Sequence, residues 1–240
     1  MDYFVNGLRE AMELSVVGLN YRVLTAEESI SILKACDALW LHSGNMCDPH
    51  AVTTKGQCTN GFIDTLRALS YTNLCELFAQ SMVNKLALEY PHLRRSKRAI
   101  SWVIGSDHAG AAFSHSVATR LGARHDFTEK GPDKTQRWNR FEIQPGETVL
   151  QVEELVTTLA TLRAVREGIF LGNLATVNYL PVALTLVHRS DQYAFEKGPI
   201  LYQVHFDIQT WSPEECPLCA AGSKRIKEPK RHWAELTGKM

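Results

Sequence analysis

Thr148-Val149-Leu150-Gln151-Val152-Glu153-Glu154-Leu155-Val156-Thr157-Thr158 is the stretch whose reading decides the fold. It begins just after the turn dipeptide Pro145-Gly146 and opens with apolar residues of the kind that fill a buried strand. Two adjacent carboxylates follow, then two hydroxyls, then a run from Leu159 to Glu167 that reads as helix. In an open parallel sheet, ligands sit beyond the carboxyl ends of the strands, and helix N-termini offer unpaired N–H groups to anions. A strand that ends in acids and threonines ahead of a helix therefore suits a phosphorylated sugar. The acids match ribose hydroxyls; the threonines and the amides after them match a phosphate. The plainer alternative is a buried strand with two solvated glutamates at its end.

Upstream, Ala99 to Ile104 reads as a second buried strand, Gly105-Ser106-Asp107-His108-Ala109-Gly110 as a small-residue loop, and Ala111 to Leu121 as a helix stopped by Gly122. Strand, glycine loop and helix in that order can bind pyrophosphate through backbone amides. His108 in that loop either touches a ligand or is structural. Ala123 to Phe127 reads as another short strand. The segment Thr128 to Arg140 is polar, carries Gly131-Pro132, and is long for a connection inside a compact domain, which predicts a lid.

Working outward, Val177 to Val187 predicts a strand bent or started at Pro181 and followed by His188-Arg189-Ser190, and Leu201 to Ile208 a further strand. Helices are predicted over Met1–Asn20, from Thr25 to about Ala38 behind a Thr25…Glu28 capping box, and over Tyr71–Tyr90, ended by Pro91. Ala51 to Phe62 reads as two short strands around a Lys55-Gly56 turn. The basic run Arg94-Arg95-Ser96-Lys97-Arg98 reads as a solvated turn rather than a nucleic-acid or targeting segment.

With 240 residues, 45% hydrophobic and 22% charged, the composition is that of one sizeable α/β domain with additions. A formal net charge of +0 gives no bulk electrostatic pull toward nucleic acid or membrane. No run has the length of a membrane span, and an N-terminus with Asp2, Arg9 and Glu10 lacks a signal-peptide layout, so a cytoplasmic protein is expected.

The central stretch resembles the phosphoribosyl pyrophosphate signature of type I phosphoribosyltransferases, and its flanks are most similar to orotate phosphoribosyltransferases. The resemblance runs from about Thr53 to Gly222. It implies a doubly wound, mainly parallel sheet with a small hood from the N- and C-terminal segments. Divided that way, residues 1–70 supply N-terminal helices and hood, 71–208 the core and 209–240 the tail. It also implies transfer of phosphoribosyl from phosphoribosyl pyrophosphate to orotate, with Mg²⁺ bridging pyrophosphate and ribose oxygens and a homodimer as the working unit.

By the same resemblance Glu153 and Glu154 hold the ribose hydroxyls, and Thr157, Thr158 and Thr161 the 5′-phosphate. Gly105, Ser106, Asp107 and His108 form the pyrophosphate loop. Lys130, with Lys134 and Arg137, belongs to a mobile loop whose basic residues reach across the dimer interface to the leaving pyrophosphate. Lys55 sits in the hood over the substrate, where the family often has Ser-Gly for Lys55-Gly56. Arg163 falls where a guanidinium would hold the orotate carboxylate.

Two features depart from the pattern. Glu154 replaces the usual Asp, and Leu159 and Ala160 stand where glycine-rich sequence lets the backbone curl around the 5′-phosphate. Leu159 and Ala160 favour a rival reading, a non-catalytic regulator that binds the same donor, while Lys130 and the intact acid pair speak against it; a transferase for another base is the third.

The six cysteines include Cys216-Pro217-Leu218-Cys219, which has the spacing of half a zinc site. The other half would have to come from elsewhere, Cys58 or a histidine. A branch of bacterial orotate phosphoribosyltransferases has a similar tail, which strengthens the resemblance more than it argues for zinc.

Overall fold

The three-dimensional structure, a computed structural model, describes residues 2–94, 99–132 and 135–239. Most of the basic run (95–98) and Lys134 lie outside the described residues. From the N-terminus come helices α1 (Leu8–Glu13) and α2 (Ala26–Ala35) and strands β1 (Leu39–Leu41), β2 (His50–Val52), β3 (Cys58–Thr59) and β4 (Gly61–Ile63). Helices α3 (Thr65–Leu69), α4 (Thr72–Glu89) and α5 (Pro91–Arg94) follow. The core then runs β5 (Trp102–Gly105), α6 (Ala109–Leu121), β6 (Arg124–Phe127), β7 (Glu129–Lys130), β8 (Gln136–Arg137), β9 (Thr148–Val156) and α7 (Ala160–Gly172). Strands β10 (Asn178–His188), β11 (Ala194–Phe195) and β12 (Gly198–His205) complete it. The tail holds β13 (Thr210–Trp211), α8 (Pro217–Ala220), β14 (Arg225–Ile226) and α9 (Trp233–Thr237).

The main sheet has the order β11-β12-β10-β9-β5-β6, and every neighbouring pair is parallel except β11 with β12. Its strands are buried on both faces and alternate in the cores they fill. Val103, Leu150, Val152, Leu184 and Leu186 pack toward the helical layer of α2, α4 and α6. Trp102, Ile104 and Val149 pack the other way, against Trp138 and the α7 residues Val165 and Ile169. A period-2 pattern feeding two cores is what helices on both faces of a parallel sheet require. After β5 the chain crosses to β6 on one side and later enters β9 on the other. The order reverses between β5 and β9, which creates a crevice at their carboxyl ends.

The predicted helix over residues 1–20 is shorter than its periodicity suggested. Only Leu8–Glu13 is α-helical, with a 3₁₀ turn at Val16–Gly18. Ser15 ends the run by accepting a hydrogen bond from the Val17 amide. Before Gly7 the chain is tied down in a non-helical path, because the Tyr3 amide donates to Glu28 Oε1 at 2.9 Å. The α2 capping box between Thr25 and Glu28 is present as read.

A second sheet, β13-β3-β2-β14, is the hood. The N-terminal hairpin β2–β3 sits in its middle, flanked by tail strands: β13 pairs antiparallel with β3, and β14 parallel with β2. Among the described residues no helix is long and apolar enough to cross a membrane.

Candidate active site

The loops leaving β5 and β9 meet at the switch point. Ser106 Oγ donates to Glu153 Oε2 at 2.6 Å, bridging the two strand ends. Glu153 is buried and Glu154 half-buried. Gly110, at the start of α6, lies directly beneath the acids. A Cβ there would come within 2.5 Å of Ser106 Oγ, 3.1 Å of Glu154 Oε2 and 3.3 Å of Glu153 Oε2, so only glycine lets the helix approach this closely. Before that helix His108 holds φ +58°, a conformation that costs energy for a residue with a side chain and that clusters at ligand sites. Its Nδ1 lies 2.8 Å from Asp107 Oδ2, and its ring is mostly exposed.

The electrostatics follow from this crowding. Burial, and then the charge of Glu154, push the Glu153 carboxyl up to about 8. Burial, with a further contribution from Asp107, pushes Glu154 up to about 7. Glu153 Oε1 and Glu154 Oε2 are buried without a hydrogen-bond partner among the described residues. Two carboxyls held together with unspent acceptors are a site waiting for hydroxyl donors or a cation.

A 400 Å³ cavity opens over this pair, lined by Ser106, Asp107, His108, Lys130, Glu154 and Thr161 among others. Lys130 therefore lines the same cavity as the acids. The segment read as a lid is a two-stranded hairpin, β7–β8, docked on α7. Gly168 and Gly172 make the docking fit: a side chain at either would run into the backbone of Gln136 or Trp138. Buried Trp138 and the Arg140 ion pairs to Asp126 and Glu129 anchor its base. Arg137 is exposed on β8 and lines neither this cavity nor the one described next.

A second, 720 Å³ cavity lies between the hood and the ends of β10 and β12. The hood turn gives it Thr53, Thr54, Lys55 and Gln57, and the core gives Thr157, Thr158, Arg189, Tyr193 and His205. The β9–α7 turn thus stands between the two cavities, with Thr157 and Thr158 on one side and Thr161 on the other. Leu159, in the middle of that turn, points away from both. It is buried with Val156, Leu162, Ala183, Phe195 and Ile200. None of residues 157–161 has a positive φ, so this turn does not call for glycine. Leu159 is thus an anchor beneath the turn, while Ala160, the other residue of that departure, lines the smaller cavity with its methyl group.

Arg163 is exposed on α7 and lines neither cavity. The guanidinium that does reach the larger one is Arg189, at the end of β10, whose buried Nε has no partner among the described residues and whose basicity burial reduces. The sequence signal was the His188-Arg189-Ser190 triplet after an apolar strand. His188 itself is buried behind the cavity, its ring stacked against both Tyr193 and Tyr202 with centroids 5.1 and 5.2 Å away, and desolvation lowers its basicity. Sequence reading also missed His50, whose ring meets Cys216 and Cys219 in the hood.

No family model matches the chain. It is 30% identical over 182 residues to an orotate phosphoribosyltransferase of Thermoanaerobacter sp. (strain X514), an alignment covering 76% of this chain and 89% of that protein. With the enzyme of the same name from Acidithiobacillus ferrooxidans it shares 26% identity over 209 residues, 87% of this chain and 98% of the other. Among solved structures, UMP synthase of Leishmania donovani is similar with TM-score 0.54 and 15% identity, covering 75% of this chain and 36% of that one. Orotate phosphoribosyltransferase of Mycobacterium tuberculosis H37Rv in complex with Fe(III) dicitrate gives TM-score 0.50 and 15% identity, over 74% of this chain and 95% of the other.

Proposed function

The chain belongs to the orotate phosphoribosyltransferase family, and on that premise we propose that it transfers phosphoribosyl from phosphoribosyl pyrophosphate to a ring nitrogen of orotate. The products are orotidine 5′-phosphate and pyrophosphate, a step of pyrimidine biosynthesis. The observation that carries this reading is the buried acid pair with unspent oxygens at the switch point, flanked by two cavities that share one threonine turn.

In this reading Glu153 and Glu154 accept hydrogen bonds from the ribose hydroxyls, and Ser106 orients Glu153 for that task. The Thr157–Thr161 turn and the first amides of α7 hold the 5′-phosphate, where hydroxyls and helix N–H groups favour an anion. The Gly105–His108 loop and Lys130 hold the departing pyrophosphate. Orotate occupies the larger cavity, its carboxylate on Arg189 and its ring beneath Lys55 and the hood turn. No protein nucleophile is needed: charge builds on the leaving group and on an oxocarbenium-like ribose, so positioning and electrostatics carry the reaction.

Mg²⁺ suits this donor set, because hard carboxylate oxygens without partners sit beside the pyrophosphate loop. When bound with the donor, it would neutralise charge on the pyrophosphate. A homodimer is proposed as the working unit, and light scattering at assay concentration tests it.

The test of function is a comparison of acceptors. Purified protein is mixed with phosphoribosyl pyrophosphate and Mg²⁺ and with orotate, uracil or adenine in turn, and pyrophosphate release is followed. Release with orotate alone is expected. Release with another base and none with orotate would move the chain to a different acceptor.

A further inference from the structure

We propose that His50, Cys58, Cys216 and Cys219 bind one Zn²⁺ in a closed tetrahedral site that fastens the C-terminal tail to the hood hairpin. The four ligand atoms come from three places in the sequence and lie within 4.8 Å of one another. Cys58 Sγ is 3.6 Å from Cys219 Sγ, and His50 Nε2 is 3.8 Å from Cys216 Sγ and 3.5 Å from Cys219 Sγ. Ligands about 2.3 Å (sulfur) and 2.0–2.1 Å (nitrogen) from a tetrahedral zinc are separated along its edges by about 3.5–3.8 Å. These three spacings match those edges, and the other ligand pairs lie within 4.8 Å.

The second observation concerns the histidine tautomer. Ser223 Oγ has one proton, and it goes to the Asp48 carbonyl. His50 Nδ1, 2.8 Å from the same oxygen, must therefore carry the hydrogen of that contact. The neutral ring is left with its lone pair on Nε2, the atom that faces the sulfurs. A ligating histidine whose other nitrogen is fixed by a hydrogen bond is the usual arrangement around zinc. The Cys216-Pro217-Leu218-Cys219 turn is formed as a knuckle, with the Cys219 amide donating to Cys216 Sγ at 3.4 Å. Three thiols and an imidazole are a soft, nitrogen-containing set, which selects zinc over magnesium or calcium. Binding releases three thiol protons to solvent and leaves no position open, so the site is structural.

Its place gives it a task. His50 lies on β2 and Cys58 on β3, on either side of the turn that brings Thr53, Thr54 and Lys55 to the larger cavity. Cys216 and Cys219 lie between β13 and β14, the tail strands at the two edges of the hood sheet. The metal would hold all four strands in register from one point.

Elemental analysis of the full-length protein, prepared under reducing conditions, tests this. One zinc per chain is expected. Replacement with Co²⁺ should give the intense charge-transfer and visible bands of tetrahedral thiolate coordination. Cys219→Ser and His50→Ala should each lose those bands, and a zinc-selective chelator added to the wild type with Mg²⁺ kept in excess should make the tail sensitive to protease while donor binding by the core persists. The chelator experiment keeps the test valid if the variants do not fold. Iron in place of zinc, a Cys58–Cys219 disulfide under these conditions, or metal-free protein with an equally resistant tail would overturn the proposal.

Discussion

Ser106 Oγ donates to Glu153 Oε2 across 2.6 Å, and the bond ties the end of β5 to the end of β9 where the strand order reverses. The hydroxyl stabilises the ionised form of a carboxyl that burial drives the other way. Ser106→Ala should therefore weaken donor binding about tenfold at neutral pH, the range of a lost hydrogen bond to a charged group. The loss should shrink as pH rises and the carboxyl ionises without help. Calorimetric titration of the donor across pH checks this; a pH-independent loss would mean Ser106 acts only by packing.

The acid pair also sets how stability depends on pH. Both carboxyls lie above their ordinary value in the folded protein, so the folded state binds more protons than the unfolded one. That contribution is fully present below the ordinary carboxyl range and is lost as pH rises through about 7 to 8. Glu153→Gln removes the burden of a buried charge. Its melting temperature should match the wild type at about pH 5 and exceed it by several degrees above the folded-state values, while donor binding falls. Parallel melting curves at all pH values would contradict the assignment.

Leu159 should behave as a core residue despite its place in the phosphate turn. Leu159→Gly restores the family's usual residue type, yet it empties a packed position between Phe195 and Ile200 and frees the helix start. A loss of about 2–5 kcal/mol in stability is expected, from large-to-small core substitutions. Turnover by the folded fraction should not improve. Denaturant melts with a matched assay decide it, and a faster enzyme of unchanged stability would show that Leu159 obstructs the phosphate.

Arg189 and Arg163 separate cleanly. Arg189→Ala should raise the orotate KM at least tenfold with little change for the donor, because its guanidinium is the one lining the larger cavity. Arg163→Ala, on an exposed face, should leave both constants within about twofold. The opposite result would restore Arg163 to the acceptor site.

These cases mark what a one-dimensional reading reaches. The strand Thr148–Val156, its acids and the helix after it were legible because period, turn residues and acid placement all point one way. The β5 loop was legible for the same reason. Residues 1–20 were not, because apolar periodicity there reflects contacts with α2 and α4 rather than a continuous helix. Arg163 and Arg189 could not be ranked from sequence, since both follow strand or helix signals and only the packing of β10 against β12 brings one of them to the cavity. The lid prediction missed Gly168 and Gly172, whose meaning depends on a hairpin arriving from elsewhere in the chain. His50 is a single histidine in a three-residue strand, and its three sulfur neighbours are supplied by the fold.

The measurement that bears most directly on the account is a crystal structure of the protein with phosphoribosyl pyrophosphate, Mg²⁺ and orotate, under conditions where turnover is blocked by Lys130→Ala. The account predicts ribose hydroxyls on Glu153 and Glu154, the 5′-phosphate on the Thr157–Thr161 turn, and the orotate carboxylate on Arg189 beneath Lys55. A donor bound away from the acid pair, or orotate held by Arg163, would contradict it.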